Sequence, residues 1–524
     1  MKSSDEALHI VAEGKRLRSL GNLDLALDAS SLALKIDPDC AEAYNYSAVV
    51  YFERGRLTEA ERLYDRALEI RENYAEALNN KANLLNVQGR IVESYNCYAK
   101  AVAIRPELFQ IRSNLLLSMN YNPLLYQQEI YEESLKWESC QPSIVTRFIH
   151  PKSQLSISPK KIRIGYVSPD FRCHSVAYFL EPLLKNHDKN CFEIFCYSDV
   201  VRHDATTSRF RSYADVWQDT HEMNDDELAQ CIYHDDVHIL VDLTGHTANN
   251  RLRVFAAKPA PVQVSWLGYP NTTGLSTIDY RITDDIADPE GADCFYSEKL
   301  MRLASGFLCY LPPKDAPPVS ERPHIRNRFI TFGSFNSIPK ISPELVAVWA
   351  AVLKRVKGSE ILLKSKYLAD PTIRSRCLGL FAEFGIRPER IKLLGAEPSM
   401  NEHLNRYAEM DIALDTFPYN GTTTTCEALW MGVPVVTLKG DRHSGRVGAS
   451  ILSHVGLNEF IAVSSDEYVN IAVRAAHNID SLVLNSVRER LLASPLCNGD
   501  LFARSFESAL RDMWEMQANK PGAV

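Results

Sequence analysis

A period of 34 residues near the start of the sequence is the strongest constraint on how this chain folds. Glycines, alanines and isoleucines recur in phase at Gly21, Gly55 and Gly89, at Ala33, Ala67 and Ala101, and at Ile36, Ile70 and Ile104. Small residues where two helices touch, with a glycine at the turn between them, are typical of the tetratricopeptide period. We therefore predict helix pairs over residues 1–108, three repeats stacked into a superhelix whose concave groove binds protein or peptide partners. A plain helical spacer is the alternative.

After the repeats, the residue pattern predicts a helical connector over 109–159 and then two α/β domains. Short apolar runs separated by amphipathic stretches are typical of strands that alternate with helices around a parallel sheet. In the first domain, 160–311, strands are predicted at 162–167, 192–197, 238–243 and 262–267. In the second domain, 328–500, strands are predicted at 329–335, 361–363, 391–394, 412–414 and 435–438, with helices at 342–356, 371–384 and 401–410.

Five prolines between residues 312 and 323 indicate a linker between these domains, which we place at 312–327. A final helix is predicted over 501–524. Two doubly wound domains joined by a linker leave a cleft between the carboxyl ends of their strands, and ligands bind in such clefts. The predicted fold class is therefore α-helical repeats followed by two Rossmann-like domains that face a cleft.

Composition excludes several classes of function. The net charge of −8 over 524 residues argues against a nucleic-acid or anionic-membrane partner. No apolar run reaches the ~18 residues of a membrane span, and the first residues lack the apolar segment of a signal peptide. The twelve cysteines include no Cys-x-x-Cys pair, so we expect reduced thiols without a metal site, in a cytoplasmic protein.

Four consecutive threonines carry the clearest chemical signal in the sequence. Thr422 to Thr425 follow an Asn420-Gly421 turn after a predicted strand, at the position where a helix would begin. The first N–H groups of a helix have no internal partner and its N-terminus carries partial positive charge. With Gly421 allowing close backbone approach, this pattern predicts a diphosphate site, with Glu427 accepting from sugar hydroxyls. The alternative is a helix N-cap alone, although four threonines exceed the need of one cap.

Polar residues also follow other predicted strands and lie on one predicted helix. His174 follows the first strand of the first domain, where it would contact a sugar or acceptor hydroxyl or serve a structural role. His246 lies in a glycine-containing loop from which it could face the cleft, and it is a further catalytic candidate. Lys340 follows the first strand of the second domain and is a candidate cation for a leaving diphosphate. His403 and Arg406 share one helix face, either in the site or as solvated surface.

Six motifs between residues 164 and 424 carry a family resemblance, which together with the repeats covers almost the whole chain. They are 164–171 with His174, 260–270 with Thr273-Gly274, Phe335-Asn336 with Lys340, His403 with Arg406, 414–416, and 420–424. Together they resemble the SPINDLY and O-GlcNAc transferase family of nucleocytoplasmic protein glycosyltransferases. The resemblance implies tetratricopeptide repeats followed by a split catalytic region of the GT-B type. It also implies a transferase that binds a nucleotide sugar and protein acceptors.

The resemblance also implies residue roles. Lys340 would hold the nucleotide diphosphate and stabilise its charge as it leaves, Thr423 and Thr424 would bind the same phosphates, and His174 would lie near the donor sugar and acceptor. The other donor-site residues implied are Ser337, His403, Arg406, Gly421, Thr422 and Glu427, with His403 and Arg406 beside the base. The reaction implied inverts the anomeric centre and needs neither a metal nor a further cofactor. In agreement, no Asp-x-Asp pair stands in a loop where a metal would hold the donor diphosphate.

Four positions depart from the O-GlcNAc transferases of animals. Ser337 replaces a Gln, Thr422 a His, Glu427 an Asp and Met400 a Lys. The Thr-Thr-Thr-Thr-Cys-Glu run is closer to the SPINDLY branch, whose plant members transfer fucose from GDP-fucose. UDP-N-acetylglucosamine is the expected donor and GDP-fucose the alternative. A peptide-binding scaffold with an inactive catalytic region is the remaining hypothesis.

Overall fold

A computed structural model describes residues 2–140, 147–151, 159–481 and 484–519. Parts of the predicted connector, 109–159, and of the predicted final helix, 501–524, therefore lie outside the described residues. The twelve cysteines are free thiols. In the described ranges, no helix has both the length and the apolar character needed to cross a bilayer.

The N-terminal region consists of helix pairs, as the sequence period predicts. Its helices are α1 (Lys2–Ser19), α2 (Leu23–Ile36), α3 (Ala41–Glu53), α4 (Leu57–Ile70), α5 (Ala75–Val87) and α6 (Ile91–Ile104). The phased alanines Ala33, Ala67 and Ala101 are fully buried between helices. Two further helices, α7 (Phe109–Met119) and α8 (Gln127–Ser139), connect the repeats to the first α/β domain. In this connector the Tyr121 ring lies 4.9 Å from that of Tyr419, in the second domain.

The turn of the third repeat touches the second α/β domain. Gly89 has a φ of +76°, and a Cβ there would meet Ile338 Cγ2 at 3.1 Å and its carbonyl oxygen at 3.3 Å. Arg376 donates a hydrogen bond to the Gly89 carbonyl at 3.1 Å. A Cβ added to the equivalent Gly55, which has a φ of +73°, would meet no described atom within 4 Å. A substitution at Gly55 therefore tests backbone strain alone, whereas the same substitution at Gly89 tests strain together with the contact between the third repeat and the second domain.

We expect Gly89→Ala to destabilise the protein more than Gly55→Ala does. Each substitution lowers the free energy of unfolding by about 1 kcal/mol, because alanine is strained in the left-handed backbone. Only alanine at position 89 also presses on the backbone of Ile338, which adds roughly 1–2 kcal/mol to the loss. Urea unfolding of both variants measures the difference. Equal losses of stability would show that the repeat turn and the second domain do not depend on each other.

The first α/β domain is built on a seven-stranded parallel sheet. Its strands are β1 (Ile162–Ser168), β2 (Phe192–Ser198), β3 (Val216–Asp219), β4 (Ile239–Asp242), β5 (Val262–Ser265), β6 (Tyr280–Thr283) and β7 (Lys299–Arg302), and its helices are α9 (Ala177–Asn186), α10 (Ala205–Tyr213), α11 (Asp225–His234) and α12 (Leu252–Ala256). The strand order is β3-β2-β1-β4-β5-β6-β7, with Ile164 opposite both Ile194 and Ile239. The four predicted strands are confirmed. The order reverses at β1, which places a crevice at the carboxyl ends of β1 and β4.

The second α/β domain repeats this plan with six strands in the order β10-β9-β8-β11-β12-β13. Its strands are β8 (Thr331–Ser334), β9 (Glu360–Lys364), β10 (Ile391–Leu394), β11 (Ile412–Leu414), β12 (Val435–Leu438) and β13 (Ile461–Ala462). Its helices are α13 (Pro323–Asn327), α14 (Pro343–Arg355), α15 (Pro371–Glu383), α16 (Met400–Asn405), α17 (Thr423–Trp430), α18 (Val447–His454), α19 (Ser465–His477) and α20 (Leu484–Ala493). α13 lies inside the segment predicted as a linker, because Pro323 occupies a first-turn position that favours a helix start.

The last helix, α21 (Gly499–Asn519), leaves the second domain and packs on the first. Glu507 Oε1 lies 3.0 Å from His187 Nδ1 and accepts a hydrogen bond from the Asp188 N–H at 2.8 Å. The Phe506 ring lies 4.8 Å from that of Trp266. The chain therefore crosses between the two domains a second time, and α21 ties the second domain to the first.

Candidate active site

A cavity of about 370 Å³ lies between the two α/β domains. Its walls are the loops that follow the carboxyl ends of β1, β5 and β7 in the first domain and of β8, β11 and β12 in the second. Polar residues from both domains line it, including His174, Asn336, Ser337, Lys340, Thr422, Thr423, Thr424 and His443. Across the described ranges, no group of three or more His, Cys, Asp or Glu residues is arranged to hold a metal ion.

The threonine run begins α17, as predicted, and three of its hydroxyl residues line the cavity. Thr422 stands at the N-cap position but its side chain makes no capping hydrogen bond. The Thr424 hydroxyl donates to Asn336 Oδ1 at 3.2 Å, and the Thr425 hydroxyl donates to the Gly421 carbonyl at 3.0 Å. A Cβ on Gly421 would clash with the Thr424 hydroxyl oxygen, so glycine is needed there. The Thr424 and Thr425 hydroxyls therefore make contacts other than an N-cap bond.

A buried carboxylate fixes the loop that leads into this helix. Asp415 accepts hydrogen bonds from the Gly421 N–H at 2.7 Å, the Thr416 N–H at 2.9 Å and the Thr437 hydroxyl at 2.7 Å. Burial raises the pKa of Asp415 to about 6, and these donors together with the Lys340 charge oppose the rise. The helix start is thus held in place before any ligand arrives.

Lys340 enters the cavity from the turn after β8. Its ammonium donates to the Asn420 carbonyl at 2.7 Å and lies 4.1 Å from the centroid of the Tyr419 ring. Burial lowers the pKa of Lys340 to about 8, while the charge of Asp415 opposes that shift. Lys340 therefore places a fixed cation beside the start of α17, where an anionic group would bind.

His174 reaches the same cavity from the opposite domain. Its Nδ1 accepts a hydrogen bond from the Val176 N–H at 3.3 Å and lies 3.5 Å from Asp170 Oδ2. Burial lowers the pKa of His174, and the charge of Asp170 opposes the shift. The cavity thus brings His174, Lys340 and the threonine run together although they lie far apart in the chain.

His403, Arg406 and Glu427 lie outside the lining of the cavity. His403 Nε2 is 3.0 Å from Glu427 Oε2, which also accepts from the Tyr407 hydroxyl at 3.0 Å. Because Glu427 is buried and this oxygen already has two partners, the structure does not show it facing sugar hydroxyls as expected. Arg406 forms ion pairs with Glu397 at 2.7 Å and Glu409 at 2.6 Å. The His403 ring also lies 5.8 Å from that of Phe335, a residue that lines the cavity.

The prediction that His246 faces the cleft is wrong. Its side chain is fully buried, with Nδ1 3.0 Å from the Ser113 hydroxyl and Nε2 2.8 Å from the Thr273 carbonyl. Its ring also packs against Trp137, at 5.7 Å between centroids. The connector helices α7 and α8 cover the loop after β4, so His246 joins the connector to the first domain instead of lining the site.

The sequence patterns missed His443, which lines the cavity after β12. Its Nδ1 lies 2.7 Å from Asp288 Oδ2, a residue of the first domain that follows β6. Polar residues at the end of the predicted strand 435–438 were the available signal for His443. No such signal marked Asp288, because β6 was not predicted.

The fold is that of two Rossmann-like domains that face a cleft and are preceded by helical repeats. Residues 137–310 and 319–506 match the model of Glycosyl transferase family 41, and residues 40–73 match a tetratricopeptide repeat model. The chain belongs to glycosyl transferase family 41.

Relatives and one solved structure agree with this membership. The chain is 43% identical over 415 residues to a protein from Solanum lycopersicum named probable UDP-N-acetylglucosamine–peptide N-acetylglucosaminyltransferase SPINDLY, covering 78% of this chain and 44% of that one. A relative from Arabidopsis thaliana named SEC is 33% identical, covering 69% and 38%. The structure of a mutant O-GlcNAc transferase from Thermobaculum terrenum superposes with a TM-score of 0.89 at 32% identity over 99% of both chains. The chain spans less than half the length of the two curated relatives, from Solanum lycopersicum and Arabidopsis thaliana. The predicted fold class and the family resemblance are confirmed.

Proposed function

We propose that this chain transfers a sugar from a nucleotide diphosphate sugar to serine or threonine hydroxyls of proteins. The observation that carries the proposal is the shared cavity, where Lys340 and the start of α17 face His174 from the other domain. The helix start binds the diphosphate, and Lys340 neutralises the charge that grows on the bridging phosphate oxygen as the glycosidic bond breaks. The acceptor oxygen attacks from the opposite face, so the anomeric configuration inverts, and the step runs without a metal.

UDP-N-acetylglucosamine is the donor that we propose, in keeping with the names of the relatives. GDP-fucose is the alternative, because Ser337 and Thr422, two of the positions that differ from the animal enzymes, line the cavity itself. Calorimetric titration with UDP, GDP and their sugars is expected to show binding of UDP and UDP-N-acetylglucosamine. Tight binding of GDP with none of UDP would contradict this donor.

A pair of threonine variants tests whether nucleotide binding occurs in the cavity. Thr423→Val removes a hydroxyl at the helix start with little change in volume, and we expect about fivefold weaker binding, close to one hydrogen bond. Thr372→Val is the control, since its hydroxyl lies on the exposed surface, 3.2 Å from that of Thr58, and outside the cavity. Equal affinities of both variants would place the nucleotide elsewhere.

We further propose that the repeats bind the acceptor proteins. A groove of about 620 Å³ runs along them, and its polar lining includes Asn45, Asn79, Asn80, Arg71 and Arg105. Side-chain amides donate and accept together, which suits the backbone of an extended peptide. A cytoplasmic location and independence from cofactors stay predictions.

A further inference from the structure

His443 and Asp288 form a buried pair across the two α/β domains. His443 Nδ1 lies 2.7 Å from Asp288 Oδ2, and the two side chains are 3% and 2% exposed. His443 follows β12 of the second domain and Asp288 follows β6 of the first, so the pair exists only when the two domains meet. The roles described above for Lys340 and the threonine run do not use it.

The surroundings of Asp288 keep it ionised. Burial alone would raise the pKa of Asp288, but its contact with His443, the charge of Arg281 and a hydrogen bond from the Thr283 hydroxyl hold it well below its usual range. The Tyr296 hydroxyl donates to the other carboxylate oxygen at 2.6 Å. An ionised carboxylate only accepts hydrogen bonds, so His443 Nδ1 carries the proton and donates it to Asp288. In the neutral ring Nε2 is then an acceptor.

The imidazole is aimed at the cavity. His443 lines the cavity together with Lys340 and His174, and its ring packs edge-on against Phe307 at 5.0 Å between centroids. Within the described part of the chain, Nε2 has no hydrogen-bond partner. A histidine whose other nitrogen is fixed by a buried carboxylate, with its free nitrogen beside a candidate reaction site, has the geometry of an oriented proton acceptor.

His174, the other histidine in the cavity, lacks such an anchor. Its Nδ1 lies 3.5 Å from Asp170 Oδ2, beyond a good hydrogen bond, and accepts instead from the Val176 N–H. Its side chain is also 37% exposed, against 3% for His443. Of the two, His443 is the better oriented.

We propose that His443 is the general base for the acceptor hydroxyl and that Asp288 is its positioning residue, an inference that rests on the proposed function. The hydroxyl proton moves to His443 Nε2 while the hydroxyl oxygen forms a bond to the anomeric carbon of the donor. The bond from that carbon to the phosphate oxygen breaks, and its electron pair leaves with the diphosphate toward Lys340. The products are the glycosylated protein, the nucleoside diphosphate and one proton on His443.

The test measures peptide transfer and donor binding in His443→Gln, Asp288→Asn and the double variant. We expect His443→Gln to lower kcat about 100-fold or more, the usual range for loss of a base, with the nucleotide-sugar Kd within about twofold of wild type. Asp288→Asn should lower kcat less, and should add little in the His443→Gln background, because the two act as one unit. His454→Gln is the control, since this half-buried histidine lies on α18 with Nδ1 2.8 Å from the Ser450 carbonyl and outside the cavity.

The outcomes separate this inference from the proposed function. Wild-type protein that transfers no sugar from either donor overturns the proposed function and this inference with it. Wild-type activity that His443→Gln retains to within threefold overturns the inference alone. So does a loss of donor affinity that matches the loss of rate, or an additive effect of Asp288→Asn, since both would mean a structural or binding role.

Discussion

Replacing Lys340 with alanine is expected to lower kcat for sugar transfer by roughly 100-fold while weakening donor binding much less. In the proposed mechanism the start of α17 holds the ground-state diphosphate, and Asp415 fixes the loop that leads into this helix. The Lys340 ammonium, which donates to the Asn420 carbonyl at 2.7 Å, would act on the charge that appears only as the glycosidic bond breaks. A single preorganised electrostatic group of this kind contributes on the order of 3 kcal/mol to the transition state. Steady-state kinetics and donor titration of the variant measure the two effects separately.

Lys366→Ala provides a matched control for this variant. Lys366 also lies over a tyrosine ring, 4.8 Å from the centroid of Tyr367, but it does not line the cavity. Its removal should leave kcat unchanged. If Lys340→Ala loses donor affinity in full proportion to its loss of rate, Lys340 is a binding residue and the assignment fails. Equal and negligible transfer by wild type and Lys340→Ala would instead favour the peptide-binding scaffold.

Acidification is expected to destabilise the contact of the connector helices α7 and α8 with the first α/β domain, through His246. Burial lowers the pKa of His246 to about 4, although its contact with the Thr273 carbonyl opposes the shift. In the unfolded chain the His246 imidazole takes up a proton near pH 6.5, whereas in the folded chain it does so only near pH 4. The unfolded state therefore binds more protons in this window, and stability falls as the pH drops from about 6.5 to 4. The expected loss is on the order of 3 kcal/mol.

The contribution of His246 appears as a difference between variants. Urea midpoints of the wild type and of His246→Gln, measured between pH 4.5 and 7.5, should converge on acidification, because glutamine takes up no proton. His477→Gln, on an exposed surface of α19, should follow the wild-type pH dependence. Parallel curves for the wild type and His246→Gln would show that His246 does not remain neutral in the folded protein.

Much of the architecture was readable from local sequence patterns. The 34-residue period placed the helix pairs, and the strands at 391–394, 412–414 and 435–438 were predicted with the bounds that the structure has. The start of α17 at Thr423 followed from the threonine run. These features depend on neighbours within one or two turns or strands, so hydrophobic periodicity and end signals specify them. The short polar strands β3, β6 and β7 lacked that signal.

Which polar side chains share the cavity was decided by tertiary structure. His246 and His443 both follow strands, yet α7 and α8 pack over His246 and bury it. Contact between the two domains instead brings His443 within hydrogen-bond distance of Asp288, beside the cavity. Likewise, nothing local indicated that α21 returns to the first domain. These contacts join residues more than a hundred positions apart. Sequence alone therefore determined the repeats, the two Rossmann-like domains and the start of a helix at the threonine run. The fold decided that His443 lines the cleft and His246 does not, because side-chain direction depends on packing against distant elements that a local pattern does not encode.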